Sequence, residues 1–154
     1  MNDIQKVLIT REGLAELRKE HEELVQNKRP EVVERLAEAR SQGDLTENSE
    51  YTAAKQDLAF IDGRIAELEQ VLHEAKVVSS HPRKSIDVGC RVTLHIGKKK
   101  DTFHIVGEWE ADPINKKISH SSPLGKALLG KKVGDKIEVN APAGKILYKI
   151  LHIE

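Results

Sequence analysis

Three carboxylates, Asp44, Glu47 and Glu50, fall within seven residues in the run Ser41-Gln42-Gly43-Asp44-Leu45-Thr46-Glu47-Asn48-Ser49-Glu50-Tyr51. Such oxygen donors suit a hard divalent cation, because Mg²⁺ is commonly held by one or two carboxylates and completed by water and substrate phosphates. An exposed pair binds Mg²⁺ weakly unaided, so the remaining ligands would have to come from a partner. The same spacing serves a second purpose. Asp44-Leu45-Thr46-Glu47 also reads as a capping box, with Asp44 as N-cap and Glu47 at N3, where acids favour the helix dipole. Spacing alone leaves both roles open, and the two are compatible.

Two helical patterns flank this run and must position it. Thr10 is an N-cap for a helix from Arg11, and Leu14, Leu17, His21 and Leu24 then recur at spacings of three and four. His21 on that seam reads as a packed, satisfied histidine. At Lys28-Arg29-Pro30 a kink or short break is expected, since proline removes a backbone donor and crowds the preceding turn, and Val32, Val33, Leu36 and Ala39 continue in a new register. The second helix is more regular, with Tyr51, Ala54, Leu58, Ile61, Ile65, Leu68, Leu72 and Ala75 in strict alternation. Helices joined by so few residues run antiparallel, and roughly 30 residues at about 1.5 Å each give a rod of about 45 Å ending at Gly43-Asp44.

Val77 to Lys84 ends the helical pattern and, with Pro82 and two serines, reads as a linker over 78–84. The period then changes to alternation. Val92, Leu94 and Ile96 alternate with polar residues, Gly97 to Asp101 form a turn, and Phe103-His104-Ile105-Val106 returns as a hairpin. An irregular loop over 108–117, a short Ile118-Ser119 strand and a helix Leu124–Leu129, started by Ser122-Pro123 and stopped by Gly130, follow. Lys136–Val139 and Lys145–Ile153 supply the last strands. The expected fold is therefore α + (α+β): a coiled-coil hairpin over 1–77, then an antiparallel sheet with one short helix over 85–154.

Composition fits that division. Apolar residues make up 38% and charged ones 32% of 154, with aromatics at 3%, which favours a charge-rich helical element beside a small core. Residues 1–77 hold 11 basic against 17 acidic side chains and residues 78–154 hold 14 against 8, so the halves carry −6 and +6. A basic half of this kind suits an acidic partner face or nucleic acid. No apolar run reaches the ~18 residues of a membrane span and no signal-peptide core is visible, so a cytoplasmic protein without membrane contact is expected. Cys90 reads as a small buried hydrophobe on a strand.

Several runs together carry a resemblance. Leu8-Ile9-Thr10-Arg11-Glu12-Gly13, Arg29-Pro30, Ala39-Arg40 through Tyr51 with Ala53-Ala54, Ile105-Val106-Gly107, Glu110-Ala111-Asp112, Ser122-Pro123-Leu124, Ala127 to Lys131 and Pro142-Ala143-Gly144 resemble the Gre family of bacterial transcript cleavage factors, GreA type. The likeness spans nearly the whole chain and is most specific at Gly43 to Tyr51. It implies a coiled coil that enters the secondary channel of RNA polymerase, where Asp44 and Glu47 help hold a second Mg²⁺ and its water, shared with the polymerase and not bound stably alone. The polymerase then hydrolyses its own backtracked transcript by two-metal chemistry, so the chain itself is not an enzyme.

By the same resemblance Asn48, Glu50 and Tyr51 support the tip, and Arg40 and Lys55 contact the extruded RNA 3′ segment through its phosphates. The C-terminal module is FKBP-like and docks on the channel rim near Glu110, Asp112, Ser122 and Pro123, although Ser122-Pro123 serves equally as a helix start. A monomer is expected. Three competitors are an inhibitory paralogue occupying the same channel, a prolyl isomerase or chaperone using the FKBP-like module, and a purely structural hairpin adaptor.

Overall fold

The computed structural model describes residues 7–43, 48–78 and 84–154. They form two compact units, Ala15–Glu74 and Met1–Leu14 with Ala75–Glu154. Strand β1 (Val7–Ile9), the start of helix α1 (Arg11–Glu23) and strand β2 (Ala75–Val77) thus gather with the C-terminal sheet, whereas the sequence boundaries at 77 and 85 follow periodicity alone.

In the helical unit the expected break near Pro30 is present as a π-helical turn, Leu24–Lys28, after which α2 runs over Arg29–Ser41. Pro30 has no N–H for the Gln26 carbonyl and its ring crowds that group. The Arg29 N–H reaches back five residues to the Leu24 carbonyl, which widens the turn where the ring must fit. One residue is thereby added to the seam. Buried Leu17 is separated from buried Val32 and Ala39 by 15 and 22 positions, one more than two and three heptads.

Helix α3 covers Ser49–Glu74 and buries Ala54, Leu68 and Val71, with Leu58, Ile61, Ile65 and Leu72 half-buried beside them. Ala75, expected as the last seam residue, instead opens β2. The β-branched run Val77-Val78 favours strand, and β2 finds a partner in β1, with Val7 beside Ala75 and Ile9 beside Val77 in a parallel pair. Cross-helix ion pairs link Glu20 with Arg64, Arg29 with Asp62 and Arg35 with Asp57, so rising numbers on one helix meet falling numbers on the other and the hairpin is antiparallel. His21 bonds Glu69 at 3.1 Å, a satisfied seam histidine as read.

The other unit centres on a sheet ordered β5-β4-β3-β7-β6, with β3 over Arg91–Ile96, β4 over Lys99–Val106, β5 over Lys117–Ser119, β6 over Lys136–Ala141 and β7 over Gly144–Ile153. Its pairs are antiparallel except β4 with β5, which run parallel; the purely antiparallel expectation fails there. The β3–β4 turn is also tighter than expected. Gly97 adopts φ 60°, so Gly97-Lys98 alone closes the hairpin and Lys99, Lys100 and Asp101 belong to β4. Helix α4 (Pro123–Leu128) starts at Ser122, whose Oγ accepts the Gly125 N–H at 3.0 Å. It covers a core of Ile86, Cys90, Val92, Leu94, Ile105, Leu128, Ile137 and Ile150. Among the described residues, no helix is long and apolar enough to cross a membrane.

Candidate functional site at the hairpin turn

The turn is built from its flanks. Helix α2 closes with the Gln42 N–H on the Ala39 carbonyl at 3.3 Å and the Ser41 hydroxyl on the Glu38 carbonyl at 2.6 Å; Gly43 follows at φ 116°, a conformation that favours glycine. Asp44 and Glu47, with Leu45 and Thr46 between them, lie outside the described residues. The structure resumes at Asn48. Its Oδ1 accepts the Tyr51 N–H at 3.1 Å and its carbonyl accepts the Thr52 N–H at 3.2 Å, which makes Asn48 the N-cap of α3. Helix α3 begins at Ser49 under this cap, and the capping box expected of Asp44 and Glu47 lies outside the described residues.

Asn48 also spans the turn. Its Nδ2 donates to the Ala39 carbonyl at 2.8 Å, so one half-buried side chain ties the last turn of α2 to the first turn of α3. The Arg40 guanidinium stands 5.8 Å from the centre of the Tyr51 ring, a cation–π contact that adds a second tie. Ala39 and Ala54 are the buried seam residues nearest the turn, 4% and 1% exposed. Glu50 is exposed in the first turn of α3, and Lys55 is exposed one turn beyond Tyr51. The structure thus brings Arg40, Asn48 and Tyr51 together and leaves Glu50 and Lys55 presented to solvent. Among the described residues no cluster of three metal-ligating side chains occurs; the carboxylate oxygens of Asp44 and Glu47 are by their chemistry suited to Mg²⁺.

The residues expected to dock on a partner have internal work. Glu110 turns its carboxylate to the start of α1, accepting from the Thr10 N–H at 2.8 Å, from the Thr10 hydroxyl and from the Gly107 N–H at 3.2 Å. Thr10 in turn caps α1, its Oγ1 accepting the Gly13 N–H at 3.1 Å. Sequence reasoning found the Thr10 cap and missed its carboxylate partner, 100 residues away, which no local spacing could announce. Asp112 accepts from the Asn115 amide at 2.6 Å, and that bond, before any nearby charge, holds its carboxyl below the usual range. Ser122 is committed to its cap, and Pro123 occupies the first turn of α4 exposed.

The chain matches known proteins along nearly its whole length. A family model described as the N-terminal domain of transcription elongation factors matches residues 7–77, and one for the C-terminal domain of GreA/GreB transcription elongation factors matches residues 81–154. The chain is 50% identical over 151 residues to transcription elongation factor GreA of Thermoanaerobacter pseudethanolicus, covering 96% of each chain. It is 47% identical to the GreA of Clostridium acetobutylicum over 158 aligned positions, covering all of both. The crystal structure of GreA factor homolog 1 from Thermus thermophilus is 30% identical, covering 97% of this chain and 99% of that one, at a TM-score of 0.47. By identity sustained along its whole length, the chain belongs to the GreA/GreB family and is a transcription elongation factor.

Proposed function

We propose that this factor acts on bacterial RNA polymerase in the cytoplasm as a monomer, its hairpin entering the secondary channel and stimulating the polymerase's own cleavage of backtracked RNA. The observation that supports this reading is the double use of Asn48, which ties together the two helix ends that flank the acidic run in sequence. Asp44 and Glu47 would hold Mg²⁺ jointly with the polymerase. Bound there, the cation would supply Lewis-acid activation of a water. The protein's part is to present and orient the two carboxylates, with Glu50 adding negative charge and Arg40 and Lys55 lying along the RNA phosphates. Glu110 is engaged with Thr10 and Gly107, so the docking role is better carried by Asp112 and by the exposed Trp109 and Ile114 beside it.

A stalled, backtracked elongation complex tests this directly, with Asp44→Ala and Glu47→Ala compared with the unaltered chain while polymerase binding is followed separately. Both variants should bind and lose cleavage. Variants that bind and cleave normally would leave the two acids as no more than helix caps and sink the mechanism.

A further inference from the structure

We propose that the outer face of the sheet at β3, β4 and β5 carries a binding site for a di- or triphosphate group. Register supplies the first observation. Arg91 on β3 lies opposite His104 on β4, and His104 lies opposite Lys117 on β5. Directly opposed residues project from the same face with Cβ atoms about 5 Å apart, and like charges so placed repel. Three basic side chains therefore stand in one row across three strands. Among the described residues, no carboxylate forms an ion pair with Arg91 or Lys117.

The row opens into a cavity of about 240 Å³ lined by Arg91, Thr102, His104, Asn115, Lys116 and Lys117. Lys116 is, among the described residues, the one non-glycine at positive φ, 57°, and it places a further ammonium at the rim, where its Nζ reaches Asp101. That conformation closes the short turn Pro113–Asn115, with the Lys116 N–H on the Pro113 carbonyl at 3.2 Å.

The lining is rich in donors, and its one ring is the half-buried His104 imidazole. Guanidinium binds phosphate oxygens in a bidentate fork, ammonium adds a point charge, and the Thr102 hydroxyl and His104 imidazole complete the shell. Three strands at about 4.8 Å spacing spread the row over about 10 Å, longer than one phosphate and suited to two or three in sequence. With no Phe, Tyr or Trp in the lining to stack on, the site grips phosphates and does not read a base. Its volume, below the roughly 300 Å³ at which small-molecule pockets usually begin, agrees with a phosphate chain rather than a whole nucleotide.

His104 offers an internal reporter. Burial first, then Arg91 and Lys117, push its pKa below the ordinary value, while the Gly89 backbone and Glu110 act the other way. A bound polyanion would reverse the balance and favour the imidazolium.

The test is calorimetric titration of the full chain with pyrophosphate at low ionic strength, alongside NMR titration of the His104 ring. One saturable site is expected, with His104 titrating at higher pH in the complex. Arg91→Gln with Lys117→Gln should weaken binding by about tenfold or more, each charge-assisted bond being worth that order, with the amide spectrum showing the fold intact. Lys98→Gln with Lys145→Gln, exposed lysines outside the lining, should leave it unchanged. Inorganic triphosphate, ATP and GTP should bind comparably, and adenosine should not bind. The proposal is overturned by an absence of saturable binding, by equal weakening in both double variants, by an unmoved His104, or by ATP binding far more tightly than triphosphate.

Discussion

Asn48 donates its side-chain amide to the Ala39 carbonyl at 2.8 Å while accepting the Tyr51 N–H at 3.1 Å, so one residue ends one helix and begins the next. The two functions separate by substitution. Asn48→Asp keeps the cap and loses the donor across the turn, and should lower unfolding free energy by about 1 kcal/mol. Asn48→Ala loses both and should cost about 2 kcal/mol. Urea unfolding ranks the three chains, and an Asn48→Asp variant as stable as the parent would show that the bond to Ala39 contributes nothing.

Gly13 sits against the Glu110 carboxylate so closely that an added Cβ would lie 1.9 Å from Oε1. Glycine to alanine in a helix ordinarily gains up to about 1 kcal/mol. Here it should lose about 2 kcal/mol, because the carboxylate must leave Thr10 and Gly107. In a Glu110→Ala background the same change should turn favourable. That reversal, read by thermal unfolding of the four chains of the cycle, is the diagnostic result.

The π-turn makes a prediction about register. Inserting one alanine after Gln26 would add a residue beyond the one the π-turn absorbs and rotate α2 by about 100°, carrying Val32 and Ala39 off the seam. A loss of at least about 3 kcal/mol is expected from two displaced core positions. Pro30→Ala should be nearly neutral, within about 1 kcal/mol, because the turn already accommodates the ring. Circular dichroism during denaturation distinguishes the pair.

His104 gives a pH dependence whose sign follows from its depressed pKa. The unfolded chain binds this proton near 6.5 and the folded chain only at lower pH. Stability from this group is therefore complete above about 6.5, declines as pH falls below it, and levels off once the folded ring is itself protonated. Replacing His104 by Asn should flatten that part of the stability profile. Its imidazole resonances should titrate with a midpoint under 6.5, and a higher midpoint would refute the burial argument.

Much of this was legible in the chain. The Thr10 cap, the break near Pro30, the α3 seam and the Ser122 helix start are local patterns, each set by residues within one turn of each other. Arg91 facing His104 was also within reach, since the Gly97-Lys98 turn fixes the register of the hairpin. What escaped was short or distant. Three-residue strands such as β1 and β2 are too brief to show alternation, and the β5 pairing crosses an irregular loop. The helix start at Ser49 was obscured because Asp44 and Asn48 are both good caps, and the sequence does not say where helix resumes.

Alanine at 39 and 54 governs girth. Two helices meeting on methyl groups can bring their axes closer than two meeting on Leu17, Leu68 and Val71, which favours a slimmer pair toward the turn. A narrow end passes through openings that its own root could not. On the proposed insertion, bulk at either alanine would act as a collar and hinder entry without altering the acids themselves.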